Sequence, residues 1–189
     1  MTREHRPETA GPERRLSPQE SERFNECVLP YLDAAYNLAR YLLRDPHEAE
    51  DAVQEAFLRA IRHFGSFRGV DGRAWLLSIV RNACFTQFRR SRVGGEKVEF
   101  DEELHSLEPE ASEPEADLAS TIAAESVREG LDQLAVEFRE VLVLRELEGL
   151  SYKEIAQVAG VPIGTVMSRL ARGRKQLLLA LSAGAKEND

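Results

Sequence analysis

Between Ser151 and Lys175 the chain sets hydroxyls and guanidiniums, those of Thr165, Ser168, Arg169 and Arg172, and the ammonium of Lys175 at helical spacing behind a tight turn. Groups of these types donate hydrogen bonds to base edges and phosphate oxygens, so the chemistry they suggest is recognition of duplex DNA. Arg174 and Lys175, at the basic end, suit backbone phosphate. The elements that would hold them are legible in the same stretch. Ser151 can cap a first helix, with Glu154 completing a capping box. Gly160 suits the left-handed residue that ends it, and Pro162 can take the first position of the next helix. Ile155, Ala156, Ala159, Val161, Val166 and Leu170 then form one small shared core. A helix-turn-helix of this kind is built to enter a major groove. An ordinary helical hairpin with a solvated basic face satisfies the same spacing.

Other chemistry is weakly represented. Cys27 and Cys84 have no nearby metal-ligand partners and read as reduced, buried or half-buried thiols. The four histidines show no ligand spacing. No nucleophile elbow, phosphate-cradling glycine loop or paired-carboxylate site is present in the sequence, so no catalysis, metal or cofactor is expected. No apolar run approaches the roughly 18 residues of a membrane span, and the N-terminus lacks the apolar core of a secretory signal, which predicts a cytoplasmic chain without membrane insertion.

The net charge of −8 over 189 residues looks wrong for a nucleic-acid ligand until its distribution is read. From Arg81 to Arg92 the charged residues are all arginines, and from Arg169 to Lys175 they are all basic. Between those blocks, the stretch 96–117 holds ten acidic residues and one lysine. Local fields govern nucleic-acid binding more than the sum does.

The composition, rich in Ala, Leu, Arg and Glu, favours an all-α fold. Residues 1–16 read as disordered. Ser17-Pro18 starts a helix to about Val28, and a second run from Tyr31 to Leu43 places Leu32, Ala35, Tyr36, Ala39 and Leu42 or Leu43 on one side. Asp45-Pro46 starts a third, with Val53, Phe57, Ala60, Ile61 and Phe64 as its core stripe. Gly65 to Gly72 reads as a loop too polar to be buried, and Asp71 caps a fourth helix burying Leu76, Ile79, Val80 and Ala83. These make a bundle over residues 17–92, followed by an acidic tether over 93–117. A second bundle spans 118–183 and a short tail 184–189, with helical periodicity through Leu131, Leu134, Phe138, Val141 and Leu142 before the helix-turn-helix.

The run AEDAVQEAFLRAIRHFGSFRG followed by RAWLLSIVRNACFTQFRR resembles domain two of a bacterial sigma factor of the sigma-70 family. The run LDQLAVEFREVLVLRELEGLSYKEIAQVAGVPIGTVMSRLARGRKQL resembles domain four. The pair is similar to the extracytoplasmic-function branch, which keeps only these two domains. That resemblance implies core RNA polymerase as partner, through the clamp helices and flap of its large subunits, with Asp51, Gln54 and Glu55 on the docking face. It implies capture of the unwound minus-ten strand by Ser66, Phe67, Arg68 and Gly69 of the loop. Trp75, Arg81, Asn82, Phe85, Phe88, Arg89 and Arg90 of the next helix join them. It implies that Thr165, Ser168, Arg169, Arg172, Arg174 and Lys175 meet duplex promoter DNA at the minus-thirty-five element. It also implies an anti-sigma protein as regulator, and a linker that threads the polymerase channel.

Two departures bear on promoter sequence. Met167 stands where relatives often carry Lys or Arg, and Thr86 where Asp is frequent. Other classes the residues admit are a helix-turn-helix regulator acting without polymerase, which predicts a symmetric operator, and a sigma mimic that binds only an anti-sigma protein.

Overall fold

Local signals set most helix starts. In the computed structural model, which describes residues 16–69, 71–93 and 118–187, Ser17 Oγ accepts a hydrogen bond from Glu20 N at 3.2 Å while the Glu20 carboxylate accepts one from Ser17 N at 3.0 Å. That capping box opens α1 (Pro18–Cys27). Pro30 allows only a short 3₁₀ turn, Leu29–Tyr31, before α2 (Leu32–Leu43). Asp45 caps α3 (Pro46–His63), its carboxylate 2.9 Å from Glu48 N. Asp71 opens α4 (Gly72–Val93) in the same way, accepting from Ala74 N at 3.0 Å. The N-terminal segment to residue 15, the acidic linker from 94 to 117 and residues 188–189 lie outside the described residues.

The second bundle is α5 (Leu118–Asp132), α6 (Val136–Leu142), α7 (Tyr152–Ala159) and α8 (Ile163–Glu187). After α6 the chain makes one π-turn, Val143–Leu147, and Gly149 ends it at φ 67°. The Ser151–Glu154 box opens α7, and Gly160, at φ 65°, closes it in the left-handed conformation that costs glycine least. Pro162 stands just before α8, its carbonyl accepting from Val166 N. α8 continues to Glu187, through the first residues of the expected tail. Among the described residues every regular element is helical.

The two bundles are not separate beads. α2 lies against α6 and α4 along α7, and one buried apolar cluster runs through both halves from Phe24 to Leu170. The α2 stripe therefore turns further than its spacing alone suggests: Leu38 and Ala39 are fully buried, while Leu32 is 44% exposed. Arg44 ends α2 at φ 67°, unusual without glycine. Its carbonyl accepts from Arg40 at 2.6 Å, and its guanidinium reaches across to Asp132 of α5.

Where α4 starts, it almost touches α1. A Cβ built on Gly72 would sit 2.0 Å from the Cys27 carbonyl oxygen. Backbone cannot yield as a flexible side chain does, so Gly72→Ala is expected to destabilise the first bundle by about 1–3 kcal/mol. Chemical denaturation of the two proteins checks this; equal midpoints would show that α1 and α4 part at no cost.

Candidate nucleic-acid interface

Seven aromatic side chains of the first bundle fall into two groups. In the first, Phe24 packs edge-on to Phe57 and Phe64, and Phe67 stacks on Trp75 with centroids 4.6 Å apart. The loop after α3 is thereby pinned from below. Contrary to the expectation of a loop too polar to be buried, Phe67 is only 7% exposed. Its ring gains more from the aromatic stack than from water. Arg23 caps the group, its guanidinium 5.3 Å from the Phe64 centroid and hydrogen-bonded to the Phe67 carbonyl at 3.1 Å. The loop's rim holds itself: Ser66 Oγ donates to His63 O at 2.7 Å and Arg68 to Gly65 O at 2.6 Å. Ser66, Arg68 and Gly69 stay exposed. The nominated loop residues thus divide into an open rim of three and a buried support, Phe67.

Along α4, Trp75 is half-buried beneath that loop and Asn82 is exposed. Phe85 and Phe88 form the second aromatic group, edge to face at 5.7 Å, half-buried near the end of the helix. Arg89 and Arg90 beside them are exposed. Cations next to partly open rings are what an unpaired strand needs, one for phosphate and the other for base faces. Arg81 is different. Its guanidinium lies over the Phe85 ring at 4.3 Å and is bonded to Glu140 of α6.

On α8, Ser168, Arg172, Arg174 and Lys175 are exposed, with Val166 and Leu170 buried on the opposite side. Arg174 pairs with Glu146 at 2.7 Å, which raises its pKa. Thr165 and Arg169 are half-buried rather than fully outward. Arg169 turns towards Glu140, 4.0 Å away. Gly173 has a clear packing role: a Cβ there would meet Leu142 at 3.1 Å, so its absence lets α8 lie close on α6.

Glu140, which the sequence reading did not single out, is completely buried. Its place beside Phe138, Val141 and Leu142 was the available signal, since a buried charge must be paired. Burial pushes its carboxyl pKa up, and the Arg81 and Arg169 guanidiniums pull it back only in part. One arginine comes from each bundle. Arg73 of α4 adds a second bridge, to Glu148 Oε2 at 2.9 Å, and Asn37 of α2 donates to the other oxygen of the same carboxylate at 3.3 Å. The surface that joins the bundles is therefore partly the surface nominated for DNA.

A third feature is built from α2 and α3 of the first bundle. Leu32, Tyr36, Val53 and Phe57 floor an open groove of about 450 Å³ between α2 and α3, rimmed by Asp33, Glu50 and Gln54. Of the residues nominated for polymerase docking, Gln54 stands on this rim. Asp51 is exposed on the neighbouring row, and Glu55 is half-buried in an ion pair with Arg59 at 2.5 Å. Leu32, on the apolar side of α2, lines this groove and is not part of the buried core; helical spacing alone cannot distinguish the two. Cys27 and Cys84 are free thiols, and burial pushes Cys84 up to about 12. No helix among the described residues is long and apolar enough to cross a membrane.

Two family models match, Sigma-70 region 2 over residues 27–93 and Sigma-70, region 4 over residues 124–177. Over 172 residues the chain is 38% identical to the RNA polymerase sigma-H factor of Pseudomonas aeruginosa, an alignment covering 87% of this chain and 89% of that one. It is 34% identical over 172 residues to the ECF RNA polymerase sigma-E factor of Escherichia coli, covering 86% and 88%. The sigma factor RpoE of Bartonella quintana, solved in complex with the anti-sigma factor NepR, superposes with a TM-score of 0.70 at 30% identity, over 85% of this chain and 98% of that chain.

Proposed function

The chain belongs to the sigma-70 family of RNA polymerase sigma factors, in its extracytoplasmic-function branch, and from that membership we propose how its surfaces divide the work. A sigma factor directs core polymerase to promoters and assists their melting at initiation. Here the α2–α3 groove and the outer row of α3 dock on core polymerase. Its apolar floor and acidic rim favour a partner helix with an apolar stripe and basic flanks.

The rim of Ser66, Arg68 and Gly69, with Asn82, Phe85, Phe88, Arg89 and Arg90 of α4, takes the unwound minus-ten strand. Extracting a base costs a few kcal/mol. A loop already fixed by Phe67, Trp75 and Arg23 adds little ordering entropy to that cost. α8 reads the minus-thirty-five element as duplex through Ser168 and Arg172, while Lys175 holds phosphate. Arg81 and Arg169 become available to DNA once the bundles part. The protein performs no covalent chemistry of its own, and an anti-sigma protein is its second partner.

The observation that carries this reading is the presence of both family regions, in order, on one chain whose two basic blocks fall on α4 and α8. Run-off transcription with purified core polymerase on a genomic library is expected to yield new start sites only when the chain is added; an unchanged transcript set would refute it. Arg172→Ala is expected to weaken promoter binding by about 1–3 kcal/mol and to relax preference at one base pair. Binding titrations against single-base variants measure this, and an equal loss on every sequence would make Arg172 a phosphate contact.

A further inference from the structure

The outward surface of α8 has two parallel rows. One, at helical spacing, is Gly164, Ser168, Arg172 and Lys175; the other is Ile163, Met167 and Ala171, and all are exposed. Ile163 is 46% and Met167 53% open to water. Neither holds the fold together, because Val166 and Leu170 fill the core on the opposite side and Gly173 makes the close approach to α6. Two large apolar side chains one turn apart, beside a row of hydroxyl and cationic groups, need an occupant that is apolar in one place and anionic around it. Duplex DNA met through its major groove is such an occupant. Phosphates flank the groove, and the thymine C5-methyl is the apolar group on its base edges.

We infer that Ile163 and Met167 are specificity determinants that read thymine methyl groups in the upstream promoter element. This rests on α8 being the duplex-reading helix. The two side chains have complementary mechanics: Ile163 is stiff at χ1 and offers a fixed surface, whereas the unbranched Met167 thioether adjusts to a methyl slightly displaced. Gly164, at the head of the polar row and next to Ile163, leaves open space, with no atom within 4 Å of where a Cβ would stand. Base edges can therefore come close to the helix backbone there.

The experiment uses the full chain bound to core polymerase. Selection from a duplex library randomised in the upstream element defines the preferred bases. Each thymine is then replaced by deoxyuridine, which removes the methyl and nothing else. At one or more positions the change is expected to weaken wild-type holoenzyme binding about four- to tenfold. With Met167→Ala or Ile163→Ala the same change is expected to cost at most about twofold, the coupling that a double-mutant cycle reports for groups in contact.

Upstream preference that is insensitive to deoxyuridine would overturn the inference while leaving α8 as the reading helix. No dependence on the upstream sequence at all would overturn both. Loss of core polymerase binding by Met167→Ala, with deoxyuridine still discriminated, would assign the row to a protein surface instead.

Discussion

Arg81→Ala is expected to open the free chain. Removing one partner of a buried ion pair leaves the other charge uncompensated, a cost of about 3–5 kcal/mol. Glu140 has no exposure of its own, and its second cation, Arg169, stands 4.0 Å away. Separating α2 and α4 from α6 and α7 returns that carboxylate to water. A shift of that size moves a closed population largely to open. Small-angle scattering on the isolated protein should show a larger radius of gyration for the variant. The double change Arg81→Leu with Glu140→Leu should restore the smaller value, because an apolar pair of similar reach needs no countercharge. Equal radii for wild type and Arg81→Ala would show that the apolar contacts hold the bundles together unaided.

The second large effect is at the groove. Leu32→Glu with Gln54→Ala is expected to lower affinity for core polymerase by about 2 kcal/mol or more, roughly thirtyfold, the size of a central hot spot. Leu32 is 44% exposed in the free chain, so the fold should tolerate a charge there. It is also a cleaner probe than Glu55→Lys, which would break the ion pair with Arg59 as well. Pull-down titrations with core enzyme provide the measurement. Undiminished capture would move the docking surface off this groove, and unchanged helical content by circular dichroism would show that lost capture is not unfolding.

What the sequence could reveal was local. Ser17, Asp45, Asp71 and Ser151 announce their helices through side chains that reach three residues along the chain, and the structure shows each of those bonds. Val53, Val80, Val166 and Leu170 likewise betray their burial by spacing alone. The misplaced residues depend on contacts between distant segments. Phe67 is drawn inward by Trp75 and by Arg23, 44 residues upstream. Leu32 is left open because α3 supplies only part of the cover its face requires. Glu140 meets Arg81 across 59 residues, a pairing with no periodic trace. The candidate site followed the same rule. Outward residues such as Arg172 and Arg89 could be nominated from type and position, whereas the engagement of Arg81 and Arg169 with one shared carboxylate could not.

That shared carboxylate also sets how the isolated protein treats the chromosome. Binding to bulk DNA is driven by the counterions that cationic side chains release from the phosphates, and its dependence on ionic strength counts those side chains. With the guanidiniums of Arg81 and Arg169 already turned towards Glu140, the free polypeptide has fewer cations to spend on random sequence. Its binding to random duplex is therefore expected to depend less steeply on ionic strength than that of a variant in which Glu140 no longer holds them.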